Sequence, residues 1–160
     1  MKKYLSFLLA GSLVVALGAC SAQEETKQEE KVEETAGQTE DNAKAVRSSL
    51  LSYQGEVTKV IRSVEGTLAD PEQDPTAAVA TFGDDVKAIA IPEELKDYTT
   101  DIEAALENLT QYYTKKAELL KAQATDMSEA ETFKEEYITN MTKVFDGVEL
   151  SPPVFSSLFG

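Results

Sequence analysis

The chain has 160 residues, the length of a single domain, and 42% of them are hydrophobic, which is enough to form a core. It carries 15 Lys and Arg against 29 Asp and Glu, and it contains no His and no Trp. The lack of His excludes Ser-His-Asp and Cys-His nucleophile systems, His-containing zinc sites and Glu-x-x-His di-iron sites built from this chain alone. The acidic balance also argues against nucleic acid as a partner.

The first residues have the layout of an export signal. Lys2 and Lys3 form a short basic start, and a mostly apolar stretch follows from Tyr4 to Leu17. This stretch is shorter than the run of about 20 apolar residues that a transmembrane helix needs. We therefore predict a signal peptide over residues 1–19.

The only cysteine of the chain ends this stretch, in the sequence Leu17-Gly18-Ala19-Cys20. These four residues resemble the lipobox of bacterial lipoproteins, in which lipid is transferred to the thiol and the chain is cleaved just before it. The resemblance implies that Cys20 carries a lipid anchor with palmitate-type acyl chains and becomes the mature N-terminus. It also implies a location on the extracytoplasmic face of the cell membrane. The alternatives are a secreted protein with a stray thiol and an uncleaved signal anchor.

Residues 20–42 are predicted to be the lipidated cysteine and a disordered acidic linker. From Ser21 to Asn42 there are eight acidic residues, two lysines and very few apolar side chains, too few to support a folded core. A flexible coil of this length would place the folded part on the order of 25 Å from the membrane. The alternative is an exposed acidic first helix, because Glu, Lys and Gln favour helix.

Beyond the linker, apolar residues recur with a helical period, and no stretch alternates as a strand does. A first helix is predicted to begin at a cap formed by Asp41 or Asn42 and to end before Asp70-Pro71. Its inner face is Val46, Leu50, Tyr53, Val57, Val60, Val64 and Leu68. A second, short helix is predicted from Asp74-Pro75, a cap followed by a first-turn proline. Its inner face is Val79, Phe82, Val86 and Ile89.

A third helix of about 30 residues is predicted after Pro92, near 45 Å long. Its inner face is Leu95, Tyr98, Ile102, Ala105, Leu109, Tyr112, Lys116 and Leu119. A fourth helix is predicted to open with a capping box, Ser128-Glu129-Ala130-Glu131, and to stop at Gly147. Its inner face is Ala130, Phe133, Tyr137, Met141, Val144 and Val148. We therefore predict an all-α fold, an antiparallel bundle of about four helices over residues 43–160.

The final stretch, "ELSPPVFSSLFG", contains two prolines that exclude a helix there, and they are followed by the apolar residues Val154, Phe155, Leu158 and Phe159. Two roles are open for this tail. It either folds back across the end of the bundle or docks a partner through Phe155 and Phe159.

Four tyrosines stand at inner positions of the predicted helices, namely Tyr53, Tyr98, Tyr112 and Tyr137. A buried phenol needs a hydrogen-bond partner, so these side chains are candidates to line a partly polar ligand slot between helices. The alternative is that each ring lies at the edge of the bundle with its hydroxyl in water. The carboxylates of Glu93, Asp97 and Asp101 share a helix face, which we interpret as a solvated surface. We predict no metal and no cofactor.

The whole layout resembles the small, mostly helical lipoproteins of Gram-positive, Bacillus-type bacteria whose function is unassigned. The shared features are the lipobox, the acidic spacer, the helices and the Pro-Glu-Glu-Leu sequence at Pro92. We expect a membrane-anchored, non-enzymatic bundle that acts through contacts with an envelope protein of unknown identity. The alternative is a lipoprotein that binds a small molecule or a peptide in its tyrosine-lined interior. Long amphipathic helices can pack within one chain or between two, so both monomer and oligomer are open.

Overall fold

The computed structural model describes the backbone of residues 26–159 and the side chains of residues 40–159. The packing described below is that of the unit Ala36–Gly160. The predicted signal peptide, the lipobox and Cys20 lie outside the described residues. Within residues 26–159, no helix is both long enough and apolar enough to cross a bilayer.

The described residues are all-α, as predicted. The α-helices are α1 (Thr26–Leu68), α2 (Pro75–Ala78), α3 (Phe82–Lys87), α4 (Thr99–Lys121) and α5 (Ser128–Gly147). A 3₁₀ helix, Glu93–Tyr98, precedes α4, and a second one, Phe155–Leu158, follows α5. The short helices α2 and α3 together occupy the place of the predicted second helix, so that four helical segments pack together.

Contacts at both ends of the bundle fix the directions of the helices. Arg47, early in the packed part of α1, donates from Nε to the carbonyl oxygen of Val148 just after α5, at 2.8 Å. Further along α1, Glu65 pairs with Lys116 near the end of α4. Helices α1 and α4 therefore run in the same direction and α5 runs opposite to both, the arrangement of an up-down-up-down bundle.

The core consists of the apolar stripes that the periodicity predicts. Leu50, Val57, Ile102 and Leu109 are at most 1% exposed, and the interior continues through the aromatic residues of α4 and α5. The stripes are wider than predicted, because a helix that packs against two neighbours buries more than one row of side chains. The additional buried residues are Gln54, Ile61, Leu106, Tyr113, Ala117 and Phe145.

Two predicted helix starts differ from the structure. Asp41 and Asn42 lie inside α1, so neither caps its start. Both are exposed helical residues, as is Glu40. The predicted third helix is shorter than expected, because residues 93–98 form a 3₁₀ helix before the 23 residues of α4.

The predicted caps have mixed outcomes. Asp74 caps α2 as expected, since its carboxylate accepts the Thr76 backbone N–H at 2.9 Å. The predicted capping box at Ser128 does not form, because the Asp126 carboxylate accepts the Ser128 N–H at 2.9 Å instead. Hydrogen bonds from the Lys121 ammonium and then from the Thr76 hydroxyl and N–H hold the pKa of Asp74 below its usual range. The Ser128 N–H has the same effect on the pKa of Asp126.

Candidate functional site

The four predicted ligand-lining tyrosines do not converge on one space. Tyr98 lies at the end of the bundle where α4 begins and α5 ends, and its hydroxyl donates to the carbonyl oxygen of Gly147 at 2.7 Å. Tyr53, Tyr112 and Tyr137 are at most 2% exposed and lie in the interior. Tyr98 therefore lies at the edge of the bundle with its hydroxyl bonded within the chain, whereas the other three rings are interior.

Tyr112 and Tyr137 belong to a continuous cluster of aromatic rings. The ring centroids of Tyr112 and Tyr113 are 4.8 Å apart, and those of Phe82 and Tyr113 are 4.4 Å apart. Phe159 joins the two sides of the cluster, at 5.2 Å from Tyr112 and 6.0 Å from Tyr137. Edge-to-face contacts of this kind stabilise a core. These aromatic rings thus pack against one another and fill this part of the interior.

Burial changes the acidity of these phenols. Removal from water raises the pKa of Tyr112, Tyr113 and Tyr137 well above the usual value, and the nearby Glu65 carboxylate adds to this effect for Tyr112 and Tyr113. Burial, with a smaller contribution from the charge of Glu103, raises the pKa of Tyr53 to about 12. All four phenols are therefore neutral hydrogen-bonding groups at neutral pH.

A buried polar contact lies where α1 meets α5. The Gln54 side chain, 6% exposed, donates from Nε2 to the Tyr137 hydroxyl oxygen at 3.3 Å. Among the described residues, the Tyr53 hydroxyl and Gln54 Oε1 are buried without a hydrogen-bond partner. The burial of Gln54 is not predictable from the sequence, because no local pattern distinguishes a buried glutamine from an exposed one.

An ion pair lies at the edge of the aromatic cluster. Lys116 Nζ lies 2.8 Å from both carboxylate oxygens of Glu65, and both side chains are only 15% exposed. The Tyr113 hydroxyl donates to the same carboxylate at 2.8 Å, and the Lys116 ammonium lies 5.5 Å from the centre of the Tyr112 ring. Lys116 can occupy an inner position because its ammonium pairs with Glu65, and this ion pair connects α4 to α1.

The tail after α5 folds back onto the bundle. Phe155 is 3% exposed, and its ring centroid lies 5.9 Å from that of Tyr137 and 5.8 Å from that of Phe145. Phe159 is partly buried between Tyr112 and Tyr137. Both rings are therefore occupied by contacts within the chain, which corresponds to the first of the two roles open for the tail, and partner docking through Phe155 and Phe159 stays an untested prediction.

The surface has a large excess of carboxylates. From residue 40 onward there are 11 Lys and Arg and 23 Asp and Glu, and eight of the cations are already in ion pairs. These paired cations are Arg47, Lys59, Lys87, Lys96, Lys115, Lys116, Lys121 and Lys134. No cluster of three or more metal-ligating side chains is found in the part of the chain that the structure describes.

A groove opens on the surface between the segment that follows α3 and the first turns of α4. It has a volume of about 570 Å³ and is lined by Lys87, Ile89, Ala90, Ile91, Thr99, Glu103, Leu106 and Glu107. Lys87 Nζ donates to Glu107 at 2.9 Å across one side, and this hydrogen bond lowers the pKa of Glu107. This groove is not predictable from the sequence, because it depends on how the segment after α3 turns toward α4.

Comparison of the chain with protein-family models, with curated proteins and with solved structures gives no significant match.

Proposed function

We propose that this protein is a lipid-anchored, extracytoplasmic, non-enzymatic helical bundle that acts through protein contacts in the cell envelope. The observation that carries the proposal is the filling of the interior: Tyr112, Tyr137 and Phe159 pack on one another in the place where a ligand slot was considered. A bundle whose interior is filled by its own side chains acts through its surface. The anchor is supported by Leu17-Gly18-Ala19-Cys20 at the end of an apolar stretch.

The charge of the surface indicates which partners are compatible with this function. From residue 40 onward the bundle has 23 acidic residues against 11 basic ones, so its net field is negative. Loss of Lys2 and Lys3 with the signal peptide would make the mature chain more acidic still. Basic protein segments are favoured as partners, and anionic polymers and acidic lipid surfaces are disfavoured.

Lipid labelling in cells tests the anchor. Cells that produce the full chain are fed an alkyne analogue of palmitate, and the protein is then examined for the label and for its presence in the membrane fraction. We expect label and membrane association for the native chain, and loss of both for Cys20→Ser. An unlabelled native chain would overturn the anchor.

Photo-crosslinking in the same cells tests the protein contacts. A photoreactive amino acid is placed at exposed positions on different faces, such as Ala90 beside the groove, Ala69 after α1 and Glu136 on α5. We expect discrete adducts with another protein from at least one face. Absence of adducts from every face, with normal membrane association, would overturn the proposal.

Ligand binding in the interior is the second candidate function. It is favoured by one observation: in the part of the chain that the structure describes, the Tyr53 hydroxyl and Gln54 Oε1 are buried and unpaired. A ligand with a polar group at this place would satisfy both. This candidate predicts a small molecule that raises the midpoint of thermal unfolding of the native chain but not of Tyr53→Phe. If the metabolites change the unfolding midpoints of the native chain and of Tyr53→Phe equally, this second candidate function is wrong.

A further inference from the structure

We propose that the groove between the segment after α3 and the first turns of α4 binds a partner polypeptide segment in which a Lys or Arg lies beside an aliphatic side chain. The groove is the surface defined above, with Ile89, Ile91 and Leu106 as its apolar part and Glu103 and Glu107 as its acidic part. The inference rests on the proposed function, since it names the surface and the chemistry of the protein contact.

The apolar part of the groove supplies a place for an aliphatic side chain. Ile89 and Ile91 are partly exposed and pack against the core, and Leu106 below them is 4% exposed. A volume of about 570 Å³ lies within the range of about 300–1,000 Å³ typical of small-molecule binding sites, and it exceeds the volume of a single side chain. Burial of an aliphatic group here would contribute most of the affinity.

The acidic part of the groove supplies the selectivity for a cation. Glu103 and Glu107 are four residues apart on α4 and therefore lie on one face of the helix. Glu107 is already paired with Lys87, whereas the exposed Glu103 carboxylate has no ion-pair partner among the described side chains. A cation of the partner can pair with Glu103 while Lys87 holds Glu107 in place. An exposed ion pair adds little affinity but discriminates strongly against an acidic partner.

A second copy of this chain is a poorer occupant than a basic partner. The bundle has 23 acidic and 11 basic residues from residue 40 onward, so two copies repel each other as they approach. Of the described cations, eight are engaged by carboxylates of the same chain. Charge complementarity therefore favours a different, basic protein.

Peptide binding to the full lipidated chain in phosphatidylcholine vesicles tests the inference. Three fluorescent peptides of equal length serve as probes, one built from Lys and Leu, one from Lys and Ser, and one from Glu and Leu, and empty vesicles give the background. Fluorescence anisotropy should show that the Lys and Leu peptide binds more tightly than the other two. Glu103→Arg should weaken this binding about tenfold. Glu136→Arg, the same charge change at an exposed site on α5, should leave it unchanged.

The apolar contribution is tested separately with Ile89→Gln. This variant should weaken the Lys and Leu peptide but leave the Lys and Ser peptide unaffected, and its circular dichroism spectrum establishes that the bundle is folded. Equal weakening by Glu103→Arg and Glu136→Arg would overturn the inference, because binding would then depend on total charge alone. Equal binding of the Glu and Leu peptide would overturn it as well. If either result occurs while crosslinks persist in cells, the site is wrong and the proposed function stands.

Discussion

The hydroxyl of Tyr98 donates a hydrogen bond to the carbonyl oxygen of Gly147 at 2.7 Å, and the same tyrosine ring lies where a Gly147 side chain would be. A Cβ on Gly147 would lie 2.6 Å from Tyr98 Cε1 and 3.2 Å from its hydroxyl oxygen. The end of α5 and the start of α4 approach each other this closely because residue 147 has no side chain. Gly147 was predicted only as the end of the fourth helix, whereas in the structure the Tyr98 ring also packs directly against it.

Gly147→Ala should therefore destabilise the bundle by about 1–3 kcal/mol, the usual cost of forcing an additional carbon into a packed site. Urea unfolding followed by circular dichroism measures this change. Gly55→Ala is the matched control, since nothing lies within 4 Å of a Cβ built on Gly55 in the interior of α1. It should stabilise the protein by about 0.5–1 kcal/mol through helix propensity. A neutral Gly147→Ala would show that the Tyr98 contact is not tight.

Lys116→Met should destabilise the bundle by about 2 kcal/mol. It leaves the Glu65 carboxylate, 15% exposed, with only the Tyr113 hydroxyl as a partner. Lys59→Met serves as the control, because the Lys59 side chain is 72% exposed in its ion pair with Glu56, and its loss should cost less than about 0.5 kcal/mol. Chemical unfolding of both variants gives the comparison. Equal costs would mean that the Lys116 pair contributes no more than a surface pair.

Phe155→Ala should cost about 3–5 kcal/mol, because it removes a ring that is 3% exposed and packed on Tyr137 and Phe145. The neighbouring Val154→Ala should change stability by less than about 0.5 kcal/mol, since Val154 is 73% exposed. Differential scanning calorimetry compares the two unfolding temperatures. A Phe155→Ala variant as stable as Val154→Ala would contradict the packing of the tail onto the bundle.

Stability should decrease as the pH rises above about 10. The phenols of the unfolded chain release their protons near 10.0, whereas burial raises the pKa of Tyr53 to about 12 and that of Tyr113 still higher. Between these values the folded chain binds more protons than the unfolded chain, so the free energy of unfolding decreases with pH. Tyrosinate absorbance is a clean probe because the chain contains no Trp. It should rise together with the loss of helical circular dichroism, and an earlier, separate rise from the buried tyrosines would contradict their burial.

The helical stripes were predictable because burial repeats with the period of the helix. Leu50, Val57, Ile102, Leu109 and Val144 stand at predicted inner positions, and each is at most 1% exposed. The division of the second helix was not predictable from this pattern, since the inner positions Val79, Phe82 and Val86 keep their spacing through the break between α2 and α3. Periodicity reports which face is buried but not whether the backbone hydrogen bonds are continuous.

The candidate sites were less predictable than the fold. Lys116 was predicted at an inner position of its helix. Its partner Glu65 was not predictable, because it lies 51 positions away and nothing in the local sequence separates it from the exposed glutamates. Likewise, the tyrosines stood at inner positions, but only the three-dimensional packing separates Tyr98 from Tyr112 and Tyr137. The residues that line the groove come from two segments that meet only in the folded chain. The local sequence pattern therefore predicts which face of each helix is buried. Contacts between distant residues decide where a candidate functional site forms.

The packing of Phe155 and Phe159 against α4 and α5 also bears on the order in which the chain folds. Until residue 159 has been synthesised, Tyr112 and Tyr137 lack the ring that joins them, and one side of the core stays open to water. Helices can form early, because their contacts are local. The last ring contacts of the core therefore form only after the C-terminal tail has been made, so the packing of this bundle is completed at the end of synthesis rather than helix by helix.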